Sequence, residues 1–267
     1  MNILLLYFSG TGNTAWITER ITREFTQRGH KCSSLALEDI LLGKTMPDWD
    51  SYELFGLGYP VHAFDAPRLV YDLLPFLPAG RHNYFLYKTA GNIFAYGGST
   101  RRLRFAIARR GWVIKHESVY EMPPNMGGTA SPEKVKERED RALREIPIAV
   151  SQILNNDKVL LPDKGWMRAV GLLNRLECHG LPKMSKRWKA NSACIRCGKC
   201  VELCPTGNIS LIEDGIQFSD KCVFCLRCWW NCPTQALENP FVKPFLLKEK
   251  YTLSEQRGSD ILSLNSD

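Results

Sequence analysis

Residues 2–14 read Asn2-Ile3-Leu4-Leu5-Leu6-Tyr7-Phe8-Ser9-Gly10-Thr11-Gly12-Asn13-Thr14. The run up to Phe8 is nearly all apolar and of strand length, the pattern of a parallel strand buried on both faces. A helix is predicted next, with Ile17, Ile21 and Phe25 at i, i+4 spacing and Gly29 as its stop. Strand, hydroxyl-rich glycine loop and helix together make a phosphate cradle. Glycines let backbone N–H groups approach an anion, the hydroxyls donate further hydrogen bonds, and the helix amino terminus adds partial positive charge. The candidate contacts are Ser9, Gly10, Thr11, Gly12, Asn13, Thr14 and Ala15.

Three ligands compete for this loop. It lacks the Lys-Ser/Thr ending of a nucleoside triphosphate loop. Gly10 to Ala15 fits G-x-G-x-x-A, with Glu38 and Asp39 near the place of a ribose-binding acid, so a dinucleotide is one reading. Ser9, Thr11, Asn13 and Thr14 suit a terminal monophosphate wrapped on all sides better than a pyrophosphate passing by. A structural turn that binds nothing is the bland alternative.

Outward from the loop, strands and helices alternate. Strands are predicted at Lys31 to Leu37, Glu53 to Tyr59, Asn83 to Thr89 and Trp112 to Glu121. Helices are predicted from Pro67, around Thr100 to Arg110 and near Pro132 to Leu154. This order predicts an α/β fold with a doubly wound parallel sheet, whose ligands sit beyond the carboxyl ends of the strands. Pro60, Val61, His62, Ala63 and Phe64 then form an apolar loop able to wall a flat ring, with His62 given no acid–base role. Thr89, Ala90, Gly91 and Asn92, followed by Tyr96, Gly97 and Gly98, offer a second wall with amides for the polar edge of a heteroaromatic ring.

Farther along, Cys194, Cys197, Cys200 and Cys204-Pro205 are followed by Cys222, Cys225, Cys228 and Cys232-Pro233. The C-x2-C-x2-C-x3-C-P run written twice is the two-cluster spacing for [4Fe-4S] ligation, in which the fourth Cys of each run serves the other cluster. Cys194, Cys197, Cys200 and Cys232 are the expected ligands of cluster 1. Those of cluster 2 are Cys222, Cys225, Cys228 and Cys204. Zinc normally takes two separated pairs, and disulfides require an oxidising compartment, for which the amino terminus carries no basic signal region. The unit, about Asn191 to Pro240, is expected to have almost no apolar core and to draw much of its folding energy from metal. The expected setting is reduced and cytoplasmic, with no membrane span.

On these residues the chain resembles a known family. Ser9, Thr11, Gly12 and Thr14 match the phosphate loop of flavodoxin-like domains. Together with Cys194-Ile195-Arg196-Cys197-Gly198-Lys199-Cys200 and Cys204-Pro205 leading to Asn208-Ile209, the pattern resembles the EFR1-type ferredoxins, flavodoxin-like domains fused to a two-[4Fe-4S] ferredoxin. The resemblance implies the sheet order 2-1-3-4-5, a smaller α+β ferredoxin-like domain, and FMN beside two [4Fe-4S] clusters. It further implies electron transfer in the cytoplasm of an anaerobe. The expected domains are 1–162, a connector at 163–190, the cluster domain at 191–240 and a tail at 241–267 with no readable motif. An FMN-dependent reductase of a small organic substrate, fed by the clusters, is the alternative.

The chain's formal net charge is +7, and residues 163–190 hold seven basic against two acidic side chains. This connector is expected to dock an acidic redox partner or to offset cluster and phosphate charge. No nucleic-acid fold accompanies it, so no nucleic-acid partner is expected. Redox partner proteins are, with a homodimer as one arrangement that would bring flavin and clusters together. Trp229 and Trp230 are expected to pack in the core or to shield a cluster. Met122 to Gly128 should lie at the flavin edge, facing the cluster domain.

Overall fold

The computed structural model describes residues 1–62, 64–80, 82–92, 97–128, 131–162, 184–247 and 249–254. Most of the connector, including Cys178 and His179, therefore lies outside the described residues. Strands β1 (Asn2–Tyr7), β2 (Lys31–Ala36), β3 (Leu54–Pro60), β4 (Asn83–Ala90) and β5 (Val113–Glu121) form one parallel sheet in the order β2-β1-β3-β4-β5. This is the flavodoxin-like order, with its switch point between β1 and β3.

Helices α1 (Asn13–Gln27) and α5 (Pro132–Leu154) cover one face; α2 (Leu37–Leu41), α3 (Arg68–Leu73) and α4 (Gly97–Ala108) cover the other. Ile17, Ile21 and Phe25 are buried along α1 as their spacing predicts, and Gly29 follows the helix at φ 83°. Ser131 caps α5, its hydroxyl accepting from the Lys134 N–H, with Pro132 at the first helical position. The expected second strand is one residue too long. Leu37 turns inward as the first residue of α2 and is fully buried beside Ile40 and Leu57.

Gly56 and Gly58 interrupt an apolar strand for a packing reason. They stand opposite Phe85 and Tyr87 across the β3–β4 register, and those rings lie over the missing side chains. A Cβ on Gly58 would come within 2.2 Å of the Tyr87 ring. Gly58→Ala is expected to cost about 1–3 kcal/mol through overpacking, read as a lower midpoint in denaturant unfolding with an unchanged slope.

The cysteine-rich unit is framed by two small antiparallel pairs, β6 (Lys189–Ala190) with β9 (Leu237–Glu238) and β7 (Ile209–Ile212) with β8 (Gly215–Phe218). The expectation of almost no core is corrected here. Trp188, Ile209, Phe218, Leu226, Trp229, Leu237 and Val242 form a buried cluster, because the residues flanking the cysteine runs fold back over them. The described part of the tail is also not idle. Leu247, Tyr251 and Leu253 are buried with Trp16 and Ile17 in the core between sheet, α1 and α5. The expected flavodoxin-like domain is thus completed by residues from beyond the cluster domain. Among the described residues, no helix is long and apolar enough to cross a membrane.

Candidate functional site

Two cavities organise the cysteines. One is lined by Cys194, Cys197, Cys200 and Cys232. The other is lined by Cys204, Cys222, Cys225 and Cys228. Each thus gathers three thiols of one run and the last of the other. The backbone explains how short loops curl so tightly. Arg196 and Gly198 in the first run, and Phe224 and Leu226 in the second, all take positive φ, so both C-x2-C-x2-C loops wrap in the same way.

Amide donors repeat with the same symmetry. Asn208 N donates to Cys204 Sγ at 3.2 Å, and Ala236 N to Cys232 Sγ at 3.3 Å. Burial pushes the Cys222 thiol up to about 12, and the Cys228 and Cys225 thiols upward as well, with Arg227 acting against the shift at Cys225. Against the pull of burial, N–H donors including that of Ala236 hold the Cys232 thiol below the ordinary value. Soft sulfur donors in fours, spread around a cavity and supported by N–H···S bonds, fit a cubane. Among the described residues, no three His, Cys, Asp or Glu side chains are placed to share a single ion.

The glycine loop lies beyond the carboxyl end of β1. Gly12 at φ 106° opens α1, whose first turn has no side-chain cap. Among the described residues, no backbone carbonyl accepts from the N–H groups of Gly10 to Thr14, and the buried Ser9 hydroxyl has no partner. Unspent donors at a helix amino terminus fit a phosphate. Thr14 and Thr89, predicted on separate loops, meet through their hydroxyls at 2.8 Å. Val61 N donates to Thr89 O at 2.8 Å, which fixes the loop after Pro60 to the end of β4. Ala15 continues α1.

The predicted ring walls are placed in part. His62 and Asp65 bridge one another through their backbones, and Asp65 accepts from Ala66 N, the Tyr71 hydroxyl and Arg102. Phe64 projects from this turn at φ 70°, 44% exposed. Burial lowers the His62 imidazole to about 4, so it is neutral near pH 7 and has no charge to lend. Ala90 is buried, Gly91 and Asn92 are exposed, and the backbone of Gly97 and Gly98 opens α4. Ala63 and Tyr96 lie outside the described residues.

Further contacts join residues far apart in the sequence. Glu38, expected with Asp39 near the place of a ribose-binding acid, pairs with Arg227 at 2.6 Å. The Tyr251 hydroxyl donates toward Asn13 Oδ1 and Pro123 O, each at 3.0 Å, and Asn13 Nδ2 donates to Pro123 O. The tail and the Met122–Gly128 loop therefore brace the glycine loop. Gly127 N donates to Phe245 O, so the Met122–Gly128 loop meets the tail that leaves the cluster domain. Trp229 is buried, and Trp230 packs edge-on to Tyr251 with ring centroids 4.9 Å apart.

Beneath the loops, Lys88 is fully buried, its Nζ 2.6 Å from Thr100 Oγ1 and 3.8 Å from Glu117 Oε1. Glu117 is also held by Arg104 and by Leu161 N. Burial lowers the Lys88 ammonium to about 8 despite Glu117. A lysine whose folded pKa lies below its unfolded value penalises folding fully below about pH 8, and the penalty fades as pH rises toward about 10.4. The wild-type chain should therefore gain stability relative to Lys88→Met between pH 8 and 10. Denaturant midpoints of both proteins across that range test it, a flat difference being the contrary result.

Residues 193–236 match the 4Fe-4S dicluster domain family. The polyferredoxin protein MvhB of Methanothermus fervidus is 36% identical over 66 residues, a stretch covering 24% of this chain and 16% of that protein. Among solved structures, a flavodoxin from the domain Archaea aligns at 12% identity and TM-score 0.38, over 57% of this chain and 99% of that one. The two-electron reduced flavodoxin of Megasphaera elsdenii aligns at 19% identity and TM-score 0.36, over 53% and 98%. An FMN-dependent NADH-azoreductase of Bacillus anthracis aligns at 12% and 0.41, over 57% and 99%. The dicluster match indicates that the cysteine-rich unit holds 4Fe-4S clusters. One chain thus joins a flavodoxin-like strand order to a dicluster-type unit.

Proposed function

We propose that this chain is a flavo-iron-sulfur electron-transfer protein of the fused flavodoxin–ferredoxin type, relaying electrons between FMN and redox partners through two [4Fe-4S] clusters. The observation that carries the reading is the placement of one four-thiol cavity directly against the glycine loop: a Cβ on Gly10 would come within 2.3 Å of Cys225 O. Cys194, Cys197, Cys200 and Cys232 would hold one cluster, and Cys204, Cys222, Cys225 and Cys228 the other. Ser9 to Ala15 would hold the FMN phosphate, and the loops after β3 and β4 the ring. FMN exchanges one or two electrons and each cubane one, so the pair can interconvert two-electron and one-electron carriers.

The chain's own contribution is enclosure and orientation. Ser9, Thr11 and Thr14 are at most 7% exposed, so an anion in the cradle would be shielded from water, which strengthens each hydrogen bond to it. Purification without oxygen, followed by iron, sulfide and released-flavin assays, tests the proposal. About eight irons and one FMN per chain are expected; clusters without flavin would refute the flavin half.

A further inference from the structure

The junction between the two units is built on one side chain. Arg227 stands between Cys225 and Cys228, and its Nη2 and Nε donate to Ser9 O at 2.7 and 3.2 Å. Nη2 also pairs with Glu38 Oε1, both side chains being little exposed, at 12% and 11%. Nη1 reaches Leu203 O at 3.4 Å, next to Cys204, and the guanidinium lies 5.6 Å from the Phe8 ring centroid. One planar cation thus touches the glycine loop, the α2 acid and both cysteine runs. Its counterpart in the first run, Lys199, contacts no residue of the sheet domain in any recorded hydrogen bond or ion pair among the described residues.

The two cavities are correspondingly unequal. Cys225 is buried in the core cluster that includes Phe8 and Tyr59, and Val223 packs against that cluster. Both cavities are lined by residues of the cysteine-rich unit, but Cys225 of the one is buried, whereas at the rim of the cavity of Cys194, Cys197, Cys200 and Cys232, Cys197 is exposed and Ile195 is 63% exposed.

We infer that Arg227 is the positioning residue of the relay: it seats the Cys225 loop on the glycine loop, making Cys204, Cys222, Cys225 and Cys228 the inner set and leaving the other set to face partners. The assignment of cofactors to these sets rests on the proposed function; the seating does not. A second consequence is electrostatic. A fixed positive charge beside the inner set favours its reduced, more negative state and not that of the outer set.

The test uses the full chain, purified without oxygen, as wild type, R227Q, R227K and E38Q. R227Q and E38Q should each accelerate amide exchange in 8–15 and 223–229 by roughly tenfold or more, since each leaves a buried charge unpaired. E38Q touches no cysteine and keeps the test decisive should R227Q lose iron. Wild-type protection in both variants would overturn the seating role. In potentiometric titration followed by electron paramagnetic resonance, R227Q should move one cluster to a more negative potential, and R227K, which keeps the charge but loses the fork, should restore it. Movement of both clusters, or of neither, would overturn the electrostatic role. A chain found without flavin would refute the FMN reading and leave the exchange result standing.

Discussion

The C204S chain is expected to keep about four of its roughly eight irons and to lose the same paramagnetic signal that C222S loses, although the two cysteines belong to different runs. The reason is geometric. Cys204 lines the cavity of Cys222, Cys225 and Cys228, while Cys232 lines that of Cys194, Cys197 and Cys200. Uncrossed ligation would instead pair C204S with C194S. Loss of one set should also weaken the fold, because part of the unit's stability comes from metal and its own core is small. The effect should be larger for C204S than for C194S, since Cys225 and Val223 of the inner set are built into the sheet domain's core. Iron and sulfide analysis with spectra of the three single variants decides the matter. Identical losses for C204S and C194S would sink the crossed assignment.

Gly10→Ala should separate the two units without replacing a cysteine or a charge. Its new Cβ would stand 2.3 Å from Cys225 O and 3.4 Å from Cys225 Cβ. The nearer atom is backbone, so no side-chain rotation can relieve the contact. Gly10 does not take positive φ, which leaves space as the sole objection to alanine. The expected cost is about 1–3 kcal/mol at the junction, with faster proteolysis in the chain entering and leaving the cysteine-rich unit. Gly91→Ala is the matched control. Its Cβ would meet Pro124 Cβ at 3.3 Å, a far looser contact than Gly10 meets, and a smaller effect is expected. A G10A protein as stable and as protease-resistant as G91A would show that the close approach is not maintained in solution.

Much of this architecture was legible in short windows. The run from Ile3 to Phe8, the α1 stripe and the alternation of strands and helices report burial within a few residues of chain, and local periodicity encodes it directly. The two cysteine runs were legible for a similar reason: ligand spacing is set by the metal group and not by the rest of the fold. Lys88 was not legible, because a lysine inside Tyr84-Phe85-Leu86-Tyr87-Lys88-Thr89-Ala90 looks like an interruption until Thr100 and Glu117 are brought beside it. The tail gave no signal either. Tyr251 and Leu253 are ordinary residues whose burial depends on Trp16, more than two hundred positions earlier.

The sequence by itself therefore determined the α/β class, the glycine loop between β1 and α1 and the eight cysteines in two runs. The tertiary structure alone decided that Arg227 meets Glu38 and Ser9, that Cys225 sits against Gly10, and that the chain returns to complete the first core. The physical reason is the range of the information. Periodicity and ligand spacing act over a handful of residues, whereas these contacts join surfaces patterned independently, which only the packing of one completed unit on another brings into register.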